Sequence, residues 1–185
     1  LLLTSTGAQI DGSWRNAIGE EAEKVVRSLL IKEAVERNLL SALIPRSGRE
    51  VELFVPEKLE ELLGNIAMYS GIMLSNQTSM LFSSEPDISL IGKSGNTLGV
   101  IEIKGGTDPA GALERYRAAK KSFEETLREN PAAKTILLAS CITEEVRERI
   151  KQDATVSEYF NLTEVIALAE TYDRFVNQVF SLLGE

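Results

Sequence analysis

The chain has 185 residues, a formal net charge of −8, no histidine and one cysteine, Cys141. The lack of histidine excludes Ser-His-Asp and Cys-His hydrolases and any nuclease with a histidine base or ligand, while a lone cysteine excludes an internal disulfide or a cysteine-built zinc site. No segment approaches the roughly 18 uninterrupted apolar residues of a membrane span, and Leu1-Leu2-Leu3 is too short for a signal-peptide core, so the chain reads as a soluble intracellular protein.

A 43% hydrophobic share at this length suits one domain spanning residues 1–185. The first residue is Leu1 rather than Met, which leaves room for residues upstream. From Ser13 to about Leu40, Ile18, Ala22, Val25, Val26, Leu29 and Leu30 share one stripe at helical spacing and predict a long amphipathic helix. Residues 41–45 form a short apolar run ended by Pro45 and Gly48, which predicts a strand followed by a turn. Residues from about 50 to 84 read as an insertion, with a strand at Val51 to Val55, a helix opened by Pro56 and running through Leu59, Leu62, Leu63, Ile66 and Met68, and a polar loop at Ser75 to Ser79.

Beyond the insertion, Glu85-Pro86-Asp87 is a turn leading into the strand Ile88 to Ile91. Lys93 to Thr97 is a hairpin loop, and Leu98 to Lys104 is the return strand. Gly105-Gly106 breaks that strand; Asp108 as N-cap and Pro109 at the first helical position predict a helix to about Asn130. A strand at Lys134 to Cys141, a helix at Thr143 to Gln152 and a closing helix at Leu162 to Leu183 complete the chain. The order predicts an α/β sandwich, a central mixed β-sheet flanked by helices.

The chemistry concentrates on the hairpin. Side chains alternate along a strand, so Val100, Glu102 and Lys104 face one side together. Asp87 lies 15 positions before Glu102, and the hairpin loop can bring it beside the far end of the return strand. Two carboxylates and a lysine then converge at one end of a sheet. Hard oxygen ligands of this kind hold Mg2+ for phosphodiester hydrolysis, and the lysine either orients or deprotonates the attacking water or stays charged against the developing oxyanion. The plainer alternative is a surface hairpin whose Glu102 and Lys104 form a same-face ion pair worth about 0.2–1 kcal/mol.

Pro86-Asp87 followed by Glu102-Ile103-Lys104 resembles the PD-(D/E)xK nuclease superfamily of type II restriction enzymes and archaeal Holliday junction resolvases. The run from Gly99 to Tyr116 is similar to XcyI-type restriction endonucleases. The resemblance implies a restriction-endonuclease-like fold and a metal held by Asp87, Glu102 and the carbonyl of Ile103, with Lys104 beside the nucleophilic water. It also implies a first-helix glutamate, Glu23 with Glu20 as runner-up, and, as in resolvases, a serine loop at Arg46-Ser47-Gly48, where a simple turn is the alternative. The activity implied is Mg2+-dependent hydrolysis of double-stranded DNA at a short specific site by a homodimer in a prokaryotic cytoplasm. The alternatives are a junction-resolving or repair nuclease and a catalytically silent DNA-binding module.

An acidic chain binds a polyanion poorly, because phosphate contacts depend on Lys and Arg releasing counterions; bound cations ease that conflict. Arg115, Arg117, Lys120 and Lys121 form the densest basic cluster and are candidate DNA-backbone contacts, while Asn76, Gln77 and Thr78 are candidate base readers.

Overall fold

A computed structural model describes residues 12–185, with side chains from Glu21 onward. The side chains of Ile18 and Glu20 and the run Leu1 to Leu3 lie outside the described residues. The chain forms α1 (Gly12–Glu36), β1 (Leu40–Pro45), β2 (Glu52–Leu53), α2 (Leu59–Gly64), β3 (Tyr69–Leu74), β4 (Ser79–Phe82), β5 (Ile88–Ile91) and β6 (Thr97–Lys104). Then follow α3 (Ala112–Glu129), β7 (Lys134–Ala139), α4 (Glu144–Lys151), β8 (Glu158–Asn161), α5 (Leu162–Ala167) and α6 (Ala169–Leu182).

Among the described residues the eight strands make one sheet in the order β2-β1-β3-β4-β5-β6-β7-β8. It is antiparallel as far as β6, and parallel from β6 through β7 to β8. Helices cover both faces, as the mixed-sheet sandwich predicts. On one face α1, α5 and α6 bury Val26, Leu29, Leu30, Val165, Phe175 and Phe180 against Ile101, Ile103, Ile136 and Leu138. On the other, α3 and α4 bury Tyr116, Ala119, Phe123, Val146 and Ile150 against Val100 and Leu137. Each fully buried large side chain contributes about 1.5–3 kcal/mol, so β6, whose alternate residues feed both cores, is fixed from two sides. Among the described residues no helix is long and apolar enough to cross a membrane.

Several boundaries differ from expectation for identifiable reasons. The first helix stops at Glu36 rather than Leu40, because Asn38 takes a left-handed φ of 58°. The N–H of Leu39 then closes on Ala34 and that of Asn38 on Val35, which ends the helix and frees Leu40 to enter β1. Helix α1 is also broken at Glu21, where φ is −117° and ψ 21°. The helix expected from Pro56 to Met68 is split into α2 and two flanking 3-10 turns.

The 50–84 segment joins the same sheet, contributing β2, β3 and β4. Gly71 in β3 is needed there, since a Cβ would lie 2.5 Å from the Met80 carbonyl of β4. Asp108 caps a turn rather than a helix, accepting the N–H of Gly111 at 2.8 Å, and α3 starts one turn late. The closing helix is two helices, because Leu168 is extended (φ −119°, ψ 116°). Asn161, which caps the first of them, also ends β8.

Candidate active site

The strand registers bring the C-terminal ends of β1, β4, β6 and β7 and the N-terminal ends of β3 and β5 to one edge of the sheet. At that edge Ile88 pairs with Ile101, which leaves Asp87 and Glu102 as the next residues on the two strands, with Asp87 at the entry to β5. Asp87 and Glu102 are both buried, at 2% and 1% exposure. A buried charge is costly unless paired or coordinated, so two carboxylates side by side in the sheet require a partner.

Part of that partner is Lys104. Its ammonium hydrogen-bonds to Glu102 Oε2 and lies 3.5 Å from Asp87 Oδ2. Asp87 Oδ2 also accepts the backbone N–H of Ile103 at 2.6 Å. The expected alternation is observed, with Glu102 and Lys104 on the α3 face and Ile101 and Ile103 in the opposite core. Among the described residues Glu102 Oε1 is buried without a hydrogen-bond partner. Burial raises the Glu102 carboxyl above its ordinary pKa, with the Asp87 charge adding to the rise and Lys104 and the Ser122 hydroxyl opposing it. Burial alone would lower Lys104; its hydrogen bond to Glu102 and the two carboxylate charges outweigh that and raise it.

Glu23 reaches the same place from α1. Burial raises its carboxyl and the neighbouring Asp87 charge adds to that, while Arg27 and Lys104 pull it down. Glu23 is therefore a neighbour of both. It lines a cavity of about 440 Å³ with Lys24, Arg27, Ile103 and Gly105. Among the described residues no group of three or more Asp, Glu, Cys or His side chains is arranged as a metal cage. The donor set here is two carboxylates and a backbone carbonyl. Ile103 directs its N–H toward Asp87, and in a strand the C=O of a residue points to the same side as its N–H. Its carbonyl thus faces the gap beyond the start of β5, while the next carbonyl, of Lys104, turns the other way to accept from Ser140.

Other candidates are placed apart. Ser47 is exposed in the turn after β1, at the same edge but with β3, β4 and β5 between it and β6. Arg115 folds back to pair with Asp108 at 2.8 Å and with the Asp108 carbonyl. Lys120 pairs with the buried Asp153 at 3.0 Å. Lys121 and Arg117 remain exposed on α3. Asn76 to Thr78 form the β3–β4 turn at the opposite end of the sheet. There the Asn76 side chain hydrogen-bonds to the Leu183 carbonyl, Glu185 and Thr78.

Two residues at the site were not anticipated. Arg27 on α1 donates to Glu23 at 2.6 Å and to the carbonyl of Ser83 at 2.9 Å; its only signal was the i,i+4 spacing from Glu23. Ser122 is a buried hydroxyl beside Glu102, and its signal was a polar residue on the apolar stripe of Tyr116, Ala119 and Phe123.

The model of the XcyI restriction endonuclease family matches residues 1–185, the whole chain. The chain belongs to that family. A comparison with curated proteins gave no match. Membership makes this a restriction endonuclease, a hydrolase that cleaves double-stranded DNA, and the acidic edge of the XcyI-type sheet becomes the place to seek its chemistry.

Proposed function

We propose that this enzyme is a type II restriction endonuclease that hydrolyses double-stranded DNA at a short specific site with Mg2+ bound by Asp87, Glu102 and the Ile103 carbonyl. The carrying observation is the cross-strand pair of buried carboxylates with Lys104 bridging them. The donor chemistry fits: hard oxygens suit Mg2+, and Oε1 of Glu102, buried with no hydrogen-bond partner among the described residues, is an acceptor open to a cation. When bound, Mg2+ supplies Lewis-acid stabilisation of charge on the phosphate oxygens and raises the acidity of water.

In the reaction the oxygen of water forms a new bond to phosphorus and gives up a proton to solvent as a phosphorus–oxygen bond to deoxyribose breaks, and the leaving oxygen takes up a proton from solvent. Lys104 acts as a donor in this scheme, because both of its contacts are to acceptors; it orients water and offsets charge on the phosphate. Glu23 adds a third acidic side chain from α1 close to Asp87. The enzyme works as a homodimer, since a twofold DNA site is matched by a twofold protein. Exposed Lys121 contacts the DNA backbone; Ser47 lies on the same edge and meets DNA farther from the scissile bond, while Arg115 and Lys120 serve mainly to hold α3 in place.

Digestion of a plasmid of known sequence in Mg2+ tests the site-specific part. Discrete fragments with common ends are expected, and a smear of random lengths would contradict it.

A further inference from the structure

We infer that Arg27 is a positioning residue for Asp87, tying α1 to the turn that presents this carboxylate; the inference rests on the reading of Asp87 and Glu102 as metal ligands. The turn from Ser83 to Asp87 closes on itself, with the Ser83 N–H meeting the Asp87 carbonyl at 3.3 Å and the Ser83 hydroxyl donating to the Pro86 carbonyl. Arg27 holds both ends of this closed turn. Its Nη2 lies 2.9 Å from the Ser83 carbonyl and 3.4 Å from that of Asp87, and the same nitrogen donates to Glu23 at 2.6 Å.

The guanidinium is held in turn. Its carbon sits 5.5 Å from the centre of the Phe82 ring, and the side chain is only 13% exposed. It also lines the cavity shared with Ile103 and Gly105. One rigid planar group therefore sets the Asp87 backbone and the Glu23 carboxylate together. The Asp87 carboxylate can then lie against the Ile103 N–H, which orients it toward Glu102. A lysine side chain is one bond shorter and lacks the planar cation that lies over Phe82, so its ammonium is not held at the same three acceptors.

Partners one step removed from a metal change its affinity by about 10–100-fold when lost, and that range is the effect expected here. The test is calorimetric titration with Mn2+, well below melting, of the wild type and of the Arg27→Met, Arg27→Lys and Asp87→Ala variants. Wild type binds, Asp87→Ala does not, and both Arg27 variants bind about 10–100-fold more weakly. A purely structural role would lower the melting temperature and leave the Mn2+ affinity of the folded protein unchanged. Should Arg27→Met not fold, Arg27→Lys decides by the same titration. Wild-type affinity in the folded Arg27 variants, with Asp87→Ala silent, overturns this inference alone. Wild-type affinity in Asp87→Ala overturns the metal reading, and the inference with it.

Discussion

The carboxylate of Asp87 and the backbone N–H of Ile103 meet at 2.6 Å, so the aspartate on the entry to β5 is anchored on the strand that carries Glu102 and Lys104. That bond needs only an acceptor, whereas a metal needs the charge. Asp87→Asn is thus predicted to keep the fold and lose cleavage. The loss exceeds the about 10–100-fold typical of a partner one step from a metal. Circular dichroism unchanged from wild type together with a cleavage assay checks both halves.

Lys104 neutralises two buried carboxylates, and removing it strands them. Lys104→Met is expected to destabilise the metal-free protein by about 3 kcal/mol, as for a broken buried ion pair. Mg2+ should then restore part of this loss, because a ligand that binds only the folded state stabilises it by mass action. Thermal melting with and without Mg2+ reads the effect; a melting temperature that Mg2+ does not raise would contradict it.

Asp153, bonded to Tyr116 and Lys120, offers a pH test outside the Asp87 and Glu102 pair. Burial alone would raise its carboxyl, but hydrogen bonds from Tyr116, from the Thr155 hydroxyl and N–H, and from Lys120 outweigh that and bring it from 3.8 to about 2. A depressed folded pKa gives stability that is fully present above the unfolded value and is lost as pH falls through the folded one. The contribution is on the order of 2 kcal/mol, lost between about pH 4 and about pH 2. In Tyr116→Phe the acid transition should begin at higher pH, which acid unfolding followed by far-ultraviolet circular dichroism measures.

The basic residues of α3 divide by what they already touch. Lys121 is exposed, so Lys121→Ala is expected to lower the slope of log affinity against log salt by about 1. Lys120 is engaged with Asp153 at 3.0 Å, so Lys120→Ala should cost stability and leave the slope nearly unchanged. Binding isotherms across a salt series in Ca2+ separate the two.

Much of this architecture was legible in the chain. The stripe of α1, the hairpin of β5 and β6 and the run of β7 each have a single period, and the period decides which side chains share a face. Alternation alone put Glu102 and Lys104 together, and the hairpin brought Asp87 beside them. Strands β3, β4 and β8 were not legible: they are four to six residues long, and β3 is interrupted by Gly71, whose place depends on the close approach of β4. Arg27 was hidden for a related reason. It acts on the backbone carbonyls of Ser83 and Asp87, 56 and 60 residues away, and carbonyls have no sequence signature. Arg115 and Lys120 looked like a free basic face until the fold brought Asp108 and Asp153 to them.

The central claim is that Asp87 and Glu102 hold the ion with which DNA is cut, and cleavage of plasmid DNA by wild type, Asp87→Ala and Glu102→Ala in Mg2+, with chelator as control, tests it most directly. Wild type alone is expected to cut, with no cutting in chelator and both alanine variants folded and inactive. Cutting that persists in either alanine variant, or in chelator, would contradict it.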